Sequence, residues 1–322
     1  MGYTQIRSPN AALVNQKFFE ALESETGLAK FAQLVGKFVR ERIREISILD
    51  RIIPRILVTK EELQVEDQAD MLYDLVEKEY DPTVPAAAVP FLSGVNVEFF
   101  EGKRFRVYHY CIASPLFKKP IHELMAIRQP IHSILEQAIV EKINDARDTY
   151  FFNACEAVIA TFGSRYNTNI TKATPGGKLT KEVIAAITQA FSNNQLFPGC
   201  LVMHKSLFDT VYEWTFQDLG LQIGEVTING IQFQTLNSIP VITTMKKNPF
   251  TRQPLIPANV VWGFAAPDFL GVNEVLVDPK VQMKTELEAE AESPIFQAKG
   301  YFYGGAAIGN VKGVVKCTIT ST

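Results

Sequence analysis

Apolar residues recur at steps of three and four from residue 130 to 162 (PIHSILEQAIVEKINDARDTYFFNACEAVIATF), a stretch without an internal Gly or Pro. Ile131, Leu135, Ala138, Ile139, Ile143, Ala146, Tyr150, Ala154 and Val158 fall on one face of an α-helix. Glu136, Gln137, Glu141, Lys142, Asp145 and Asp148 occupy much of the other face. Beyond Tyr150, Phe151, Phe152, Cys155, Ile159 and Phe162 fill in the polar side, so that end is expected to be covered on nearly all sides. Pro130 suits the first helical position and Gly163 the residue just past the end. At 1.5 Å per residue the helix spans ~50 Å, long enough to act as a strut for the rest of the chain. An ordinary long core helix of an enzyme is the competing interpretation.

Around it the pattern changes character several times. Residues 28–46 carry Leu28, Phe31, Ala32, Val35, Phe38, Val39, Ile43 and Ile46 at helical spacing, with Lys30, Lys37, Arg40, Arg42 and Arg44 opposite. Such a basic face can rest on nucleic acid or an acidic partner, or simply be solvated. Ile56 to Val58 reads as a short strand. Residues 61–90 pass from acidic clusters into EKEYDPTVPAAAVPF, whose Pro82, Pro85 and Pro90 forbid a central strand. That stretch is expected to be a disordered linker or an extended arm shaped by a neighbour. Val95, Val97 and Phe99, then Phe105, Val107 and His109, alternate with polar residues about Glu101-Gly102, which predicts a hairpin. Phe99, Phe100, Lys103, Arg104 and Arg106 place aromatic and positive groups at its tip.

The polar run GSRYNTNITKATPGGK (residues 163–178) marks the clearest boundary. A mixed α/β lobe follows: a helix over 180–192 capped by Thr180, a strand over 200–203, a helix over 206–215 capped by Ser206, and strands over 223–242 turning at Asn229-Gly230. A Pro-rich loop over 246–259 and a strand over 260–264 complete it. Val281, Met283, Thr285, Leu287, Ala289 and Ala291 alternate with Gln282, Lys284, Glu286, Glu288, Glu290 and Glu292, predicting one long strand over 276–292 with an acidic, wet face. Glycines punctuate 300–313, and residues 314–319 close the chain as a strand.

Composition narrows the classes. The 322 residues carry a net charge of −3, too small to argue for nucleic acid, membrane or strongly ionic substrates. No apolar run approaches the ~20 residues needed to span a bilayer, and MGYTQIRSPN lacks the apolar core of a secretory signal. Cys111, Cys155, Cys200 and Cys317 are scattered, which suggests neither zinc nor a disulfide framework. His109, His122, His132 and His204 have no metal-ligand spacing. Nucleophile-elbow, Walker and dinucleotide motifs are absent, and GYFYGGAAIG (residues 300–309) lacks the Lys-Ser/Thr of a phosphate loop. The strand glutamates share one wet face and are not opposed across a cleft, as paired catalytic carboxylates must be. No catalytic residue, cofactor or metal is therefore expected.

The order of these parts resembles the tailed-bacteriophage major capsid proteins of the Hong Kong 97-type fold. The most telling pieces are VNVEFFEGKRFRVYHYCIASPLFKKPIHELM, ILEQAIVEKINDARDTYFF, LFPGCLVMHKSLFDTVYEW and APDFLGVNEVLV. The resemblance implies an α+β fold with an N-terminal arm (residues 1–55) and an extended loop with hairpin (56–112). It implies a peripheral domain (113–175 and 275–304) with a spine helix over 130–162, and an axial domain (176–274 and 305–322). It further implies a structural protein that assembles with itself into hexamers and pentamers of an icosahedral or prolate head around double-stranded DNA held without sequence readout. Portal and scaffolding proteins and a decoration protein are implied partners; a virion capsid assembled in the host cytoplasm is the implied location. Assembly contacts are expected at Arg40, Arg44, Phe99, Phe100, Glu101, Lys103, Arg104 and Arg106. Some members join a loop lysine covalently to a neighbour's asparagine with a glutamate assisting. Lys103 lies in that loop, but the other two residues have no counterpart here, so crosslinking is not expected. No scaffold-like extension precedes the arm, so any scaffold is expected to be a separate protein or a removed segment. An encapsulin-like compartment shell and a soluble α/β enzyme are the rival classes.

Overall fold

The computed structural model describes residues 47–66, 71–79, 102–120, 131–213, 223–228, 231–286 and 295–321. The expected arm helices before residue 47, and the segment 80–101 with Phe99, Phe100 and Glu101, lie outside the described residues. A 36-residue helix, Ile131–Tyr166, runs across two mixed sheets. The first sheet contains β1 (Arg55–Leu57), β2 (Gln64–Glu66), β3 (Met71–Lys78), β4 (Lys103–Ala113), β5 (Phe117–Pro120), β12 (Gly271–Glu286) and β13 (Ile295–Ile308). Its order is β1-β12-β13-β4-β3-β2, with β5 also on β13. The second contains β6 (Asn169–Thr174), β7 (Pro198–His204), β8 (Ile223–Ile228), β9 (Ile231–Leu236), β10 (Ile239–Thr244), β11 (Val260–Ala265) and β14 (Val314–Ser321), ordered β6-β14-β11-β7-β10-β9-β8. The helices are α1 (Leu49–Ile52), α2 (Ile131–Tyr166), α3 (Lys181–Asn193) and α4 (Lys205–Asp209).

The second sheet is buried on both faces, which is why its central strands read as continuous apolar runs. Along β7, Cys200 and Val202 face α2, whereas Leu201 and Met203 face α3. Trp262 and Phe264 of β11 join the α2 side, where Phe151, Phe152, Cys155 and Ile159 meet Ile48, Leu49, Ile52 and Ile53. Val183, Ile187 and Phe191 of α3 cover the opposite side. Each such aliphatic or aromatic side chain, fully buried, contributes about 1.5–3 kcal/mol. Earlier on α2, Ile139, Ile143 and Ala146 pack with Ile112, Val275, Phe296 and Phe302 of the first sheet. The buried side of the strut thus moves round the helix as it passes from one sheet to the other.

Several expectations need correction. α2 does not stop at Gly163 but runs to Tyr166, and Asn167 (φ 54°) supplies the left-handed exit while Thr168 N–H closes on Gly163 O at 2.9 Å. Gly163 is needed inside the helix, because a Cβ there would lie 2.9 Å from Asn169 Cβ. The supposed polar face is partly buried: Glu141, Asp145 and Asp148 are all enclosed. The end beyond Tyr150 is covered on one side only, leaving Asn153, Ala154, Glu156, Ala157, Ala160 and Thr161 exposed, and Tyr150 is itself 45% exposed.

Residues 71–78, expected in a linker or arm, form β3, which ladders with β4 from Leu72↔His109 to Lys78↔Lys103; the expected first strand of the hairpin, Val95 to Phe99, lies outside the described residues. The long acidic strand begins earlier, at Gly271, and its described part ends at Glu286. The glycines after 300 lie largely within β13 and do not form a loop. Thr180 occupies the cap position of α3 without a side-chain cap bond, and α4 is capped by His204, whose Nδ1 accepts from Ser206 N–H at 3.2 Å. β8 and β9 pair antiparallel as far as Ile228↔Ile231, while the expected turn at residues 229–230 lies outside the described residues; Asn237 (φ 54°) with Ser238 (φ 63°) makes a tight turn between β9 and β10.

Candidate functional site: a buried junction and a seated hairpin

Two constellations fix the parts of this fold relative to one another. The first centres on Asp148, a fully buried carboxylate on α2. It accepts from Ser47 Oγ at 2.7 Å and from the Ile48 and Leu49 N–H groups at 3.0 Å each. Short helix α1 has no side-chain cap of its own. Asp148 satisfies its free N–H groups from a different element, and a negative charge suits a helix N-terminus. Lys246 Nζ, from the loop after β10, lies 2.7 Å from Asp148 Oδ2 and 3.4 Å from Asp145 Oδ1. Burial pushes the Asp145 carboxyl up, Lys246 opposes, and Glu141 and Asp148 add to the upward push.

One residue away, Arg147 points to the other side and is 1% exposed. Its guanidinium lies 3.0 Å from Asp50 Oδ1, donates to Asn273 Oδ1 at 3.2 Å, and stacks 4.3 Å over the Phe302 ring. Asn273 Nδ2 donates to Asp50 Oδ1 at 3.0 Å and to Ile53 O at 3.1 Å. Burial alone would raise the Asp50 carboxyl, but Arg55 and Arg147 overcome it and hold its pKa at about 2. Residues 47–50, the strut, the loop after β10 and strand β12 therefore meet in one hydrogen-bonded cluster.

The second constellation seats the β3–β4 hairpin. Along β4 the buried parity changes. Val107 and His109 are buried in the upper half, whereas Ile112 is buried in the lower half and its neighbours Cys111 and Ala113 are exposed. The lower half, Tyr110 to Ala113, ladders with β13, and among the described residues the upper half ladders with β3 alone. Successive residues of a strand point to opposite faces, so this switch means that the hairpin leaves the plane of its sheet and lies over the β12–β13 ribbon. Gly305 makes room: a Cβ there would come 2.2 Å from Tyr108 O. Gly305 is opposite Glu274 on β12, and His109 Nε2 lies 2.8 Å from Glu274 Oε2, both side chains almost completely enclosed. His109 Nδ1 has no partner among the described residues, so Nε2 is assigned the proton donated to the carboxylate. Phe105 covers Gly309, and Lys78 Nζ donates to Gly309 O at 3.4 Å.

Of the sequence-predicted contact residues, Arg40, Arg44, Phe99, Phe100 and Glu101 lie outside the described residues. Lys103 is exposed opposite Lys78 at the end of the ladder. Arg104 pairs with Glu77 at 2.7 Å, and both are well exposed. Arg106 Cζ sits 4.9 Å over the Tyr73 ring, beside Tyr108. Arg104 and Arg106 line the outer side of the hairpin, because Val107 and His109 occupy the seated side; Lys103 shares the parity of Val107 and His109 at the far end of the strand. Sequence reasoning missed Asp50, Arg147, Asp148, Lys246, Asn273, His109 and Glu274. The one local hint was a run of charges, Asp145, Arg147 and Asp148, at the centre of a helix otherwise destined for burial.

A groove of about 570 Å³ lies between α2 and β4, walled by Tyr110, Cys111, Ala146, Tyr150, Ala154 and Phe250. No acid, base or histidine lines it, so it lacks the convergent polar groups with which binding sites orient small molecules. Among the described residues no group of three or more His, Cys, Asp or Glu could hold a metal, and no helix is long and apolar enough to cross a membrane.

No family model and no curated protein matches the sequence. Solved structures do match the fold. A structure from Microbacterium phage Oxtober96 superposes with a TM-score of 0.61 at 10% identity, over 92% of this chain and 97% of the other. The capsid of cyanophage P-SCSP1u gives 0.52 at 10% identity over 90% and 94%. The holo-SrpI encapsulin complex from Synechococcus elongatus PCC 7942 gives 0.53 at 10% identity, again over 90% and 94%. Likeness over nine-tenths or more of each partner establishes that this chain has the Hong Kong 97-type fold.

Proposed function

We propose that this chain is the major capsid protein of a tailed bacteriophage, a structural subunit and not an enzyme. The observation that carries the reading is the end-to-end likeness to capsid structures, with neither chain leaving a large part unmatched. The geometry is consistent with it: the best-defined polar clusters among the described residues, around Asp148 and around Arg147, bond parts of the scaffold to one another. In this reading residues 1–55 form the N-terminal arm and 56–112 the extended loop. Residues 113–175 with 275–304 form the peripheral domain, and 176–274 with 305–322 the axial domain.

Copies pack as hexamers and pentamers into an icosahedral or prolate head in the host cytoplasm, and each copy repeats one heterologous contact that closes into rings. Arg40, Arg44, Phe99, Phe100, Glu101, Lys103, Arg104 and Arg106 contribute to those contacts. Portal, scaffolding and decoration proteins are the further partners, and packaged double-stranded DNA is held through its phosphates without sequence readout. An encapsulin-like compartment is the second reading, favoured by the likeness to the SrpI shell. Negative-stain microscopy and size-exclusion of the purified chain test the proposal. Rings or closed particles are expected, and small oligomers alone would return the chain to the enzyme class. Nuclease-protected DNA inside particles from the native source separates a phage head from a protein-loaded compartment.

A further inference from the structure

Charge is divided unevenly along this chain. The second-sheet lobe, residues 163–213, 223–228, 231–270 and 309–321, holds ten lysines and arginines against five acids (Glu182, Asp209, Glu213, Glu225 and Asp268), although the whole chain carries a net charge of −3. Lys205, Lys246 and Lys316 are paired with Asp209, Asp148 and Glu156. Among the described residues neither Arg165 nor Lys312 is paired with a carboxylate. Both lie over one ring instead: Arg165 Cζ and Lys312 Nζ are each 5.4 Å from the centroid of Tyr166. The place is one end of the second sheet. Here α2 stops at Tyr166, whose carbonyl accepts from Asn194 Nδ2 at 3.0 Å just past α3. The turn Val311–Gly313, which carries Lys312, lies against the turn Pro267–Phe269, since a Cβ on Gly313 would come 3.1 Å from Phe269 O.

One cation in the last turn of a helix is ordinary, because it offsets the C-terminal carbonyls. A second, brought to the same ring from a turn far along the chain, is not explained that way. The ring attracts both, but the two repel each other, and the exposed Asp268 on the neighbouring turn forms no ion pair with either. An anion between or beside them would remove that repulsion. We propose that Arg165 and Lys312, held over Tyr166, form a phosphate-binding surface for double-stranded DNA. Arg165 is exposed and Lys312 half-buried, so the surface is open. An open pair of point charges suits a backbone phosphate, whereas a small molecule needs enclosure. The positive excess of the whole lobe acts over a longer range than the pair, which suits an extended polyanion better than a short acidic peptide. In the shell reading, on which this last step rests, that end of α2 faces the enclosed DNA.

Fluorescence anisotropy of a labelled duplex of about 30 base pairs, titrated with the full-length unassembled chain at about 50 and about 200 mM salt, tests it. The parent is expected to bind without sequence preference. Arg165→Gln with Lys312→Gln is expected to weaken binding roughly tenfold at the lower salt and to make the salt slope shallower by about two; Lys312→Gln alone should give about half that change in slope. Lys247→Gln with Arg252→Gln removes the same charge from exposed positions near the opposite end of the sheet, where Thr244 of β10 pairs with His204, and is expected to leave affinity within about twofold of the parent. Equal losses in the two double variants would overturn the site, since net charge alone would then set the affinity. So would a parent that binds no DNA, or one from which poly-glutamate displaces the duplex more readily than unlabelled DNA does, which would assign the surface to an acidic protein. Electron microscopy keeps the shell reading separate. Particles formed by an Arg165 and Lys312 variant of undiminished DNA affinity would overturn this site alone. Small oligomers whose DNA binding depends on both residues would support the site and end the shell reading.

Discussion

Asp148 Oδ2 and Lys246 Nζ stand 2.7 Å apart, both sealed from solvent, although 98 residues separate them in the chain. Around this contact the long helix holds the short helix α1 on one side and the loop after β10 on the other. The contact is therefore a joint between parts, not a surface ion pair.

Removing the carboxylate should be expensive. Asp148→Ala leaves Lys246 with the longer contact to Asp145 and takes the acceptor from the Ile48 and Leu49 N–H groups, and a loss of about 3 kcal/mol is expected. Lys246→Met should cost clearly less, because Asp148 keeps the Ser47, Ile48 and Leu49 donors. Urea unfolding of the unassembled chain measures both; equal losses would contradict the assigned order of importance.

Asp50 gives the fold an acid-sensitive contribution. Its folded pKa of about 2 lies below the ordinary 3.8, so its stabilisation is fully present above pH 4 and is lost as pH falls towards 2. The difference amounts to about 2 kcal/mol. Asp50→Asn should flatten that part of the stability profile. Asp145 acts in the opposite sense, since a raised carboxyl favours the fold more at low pH than at neutral pH. Unfolding midpoints at pH 5 and pH 2.5, compared between parent and Asp50→Asn, check the sign.

Thiol chemistry should single out one cysteine. Cys111 is exposed, whereas Cys155, Cys200 and Cys317 are buried. Burial pushes Cys200 to about 12 and Cys317 to about 11, and raises Cys155 well above the thiol range. A water-soluble disulfide reagent should titrate one equivalent rapidly in the native, unassembled chain and four after unfolding, and Cys111→Ser should abolish the fast phase.

Glycines on β11 and at the hairpin end should respond differently to the same substitution. A Cβ at Gly263 would press within 2.8 Å of Ile187 Cγ2 and 2.9 Å of the Phe191 ring, so Gly263→Ala is expected to cost about 1–3 kcal/mol. Gly102→Ala should leave thermal stability within about 0.5 kcal/mol of the parent, since the site is open. Calorimetry of the two variants side by side provides the check.

Local chemistry determined a good part of this protein from the sequence alone. Spacings of three and four in α2 and α3, and the run Val260 to Phe264, each encode their element in a few neighbouring residues. The order of those elements was enough to suggest the fold. Tertiary structure decided what no local pattern encodes. Glu141, Asp145 and Asp148 look like a wet helix face, and the arrival of Lys246 and Ser47 from elsewhere in the chain makes the burial of Asp145 and Asp148 tolerable. β4 alternates cleanly in sequence, yet its partner is β3 and its buried side changes at Tyr110, because glycines on a strand nearly two hundred residues later leave a track for it. Propensity and periodicity act between neighbours along the chain. Pairing of buried charges and close approach of backbones act between neighbours in space, which exist only once the chain has folded.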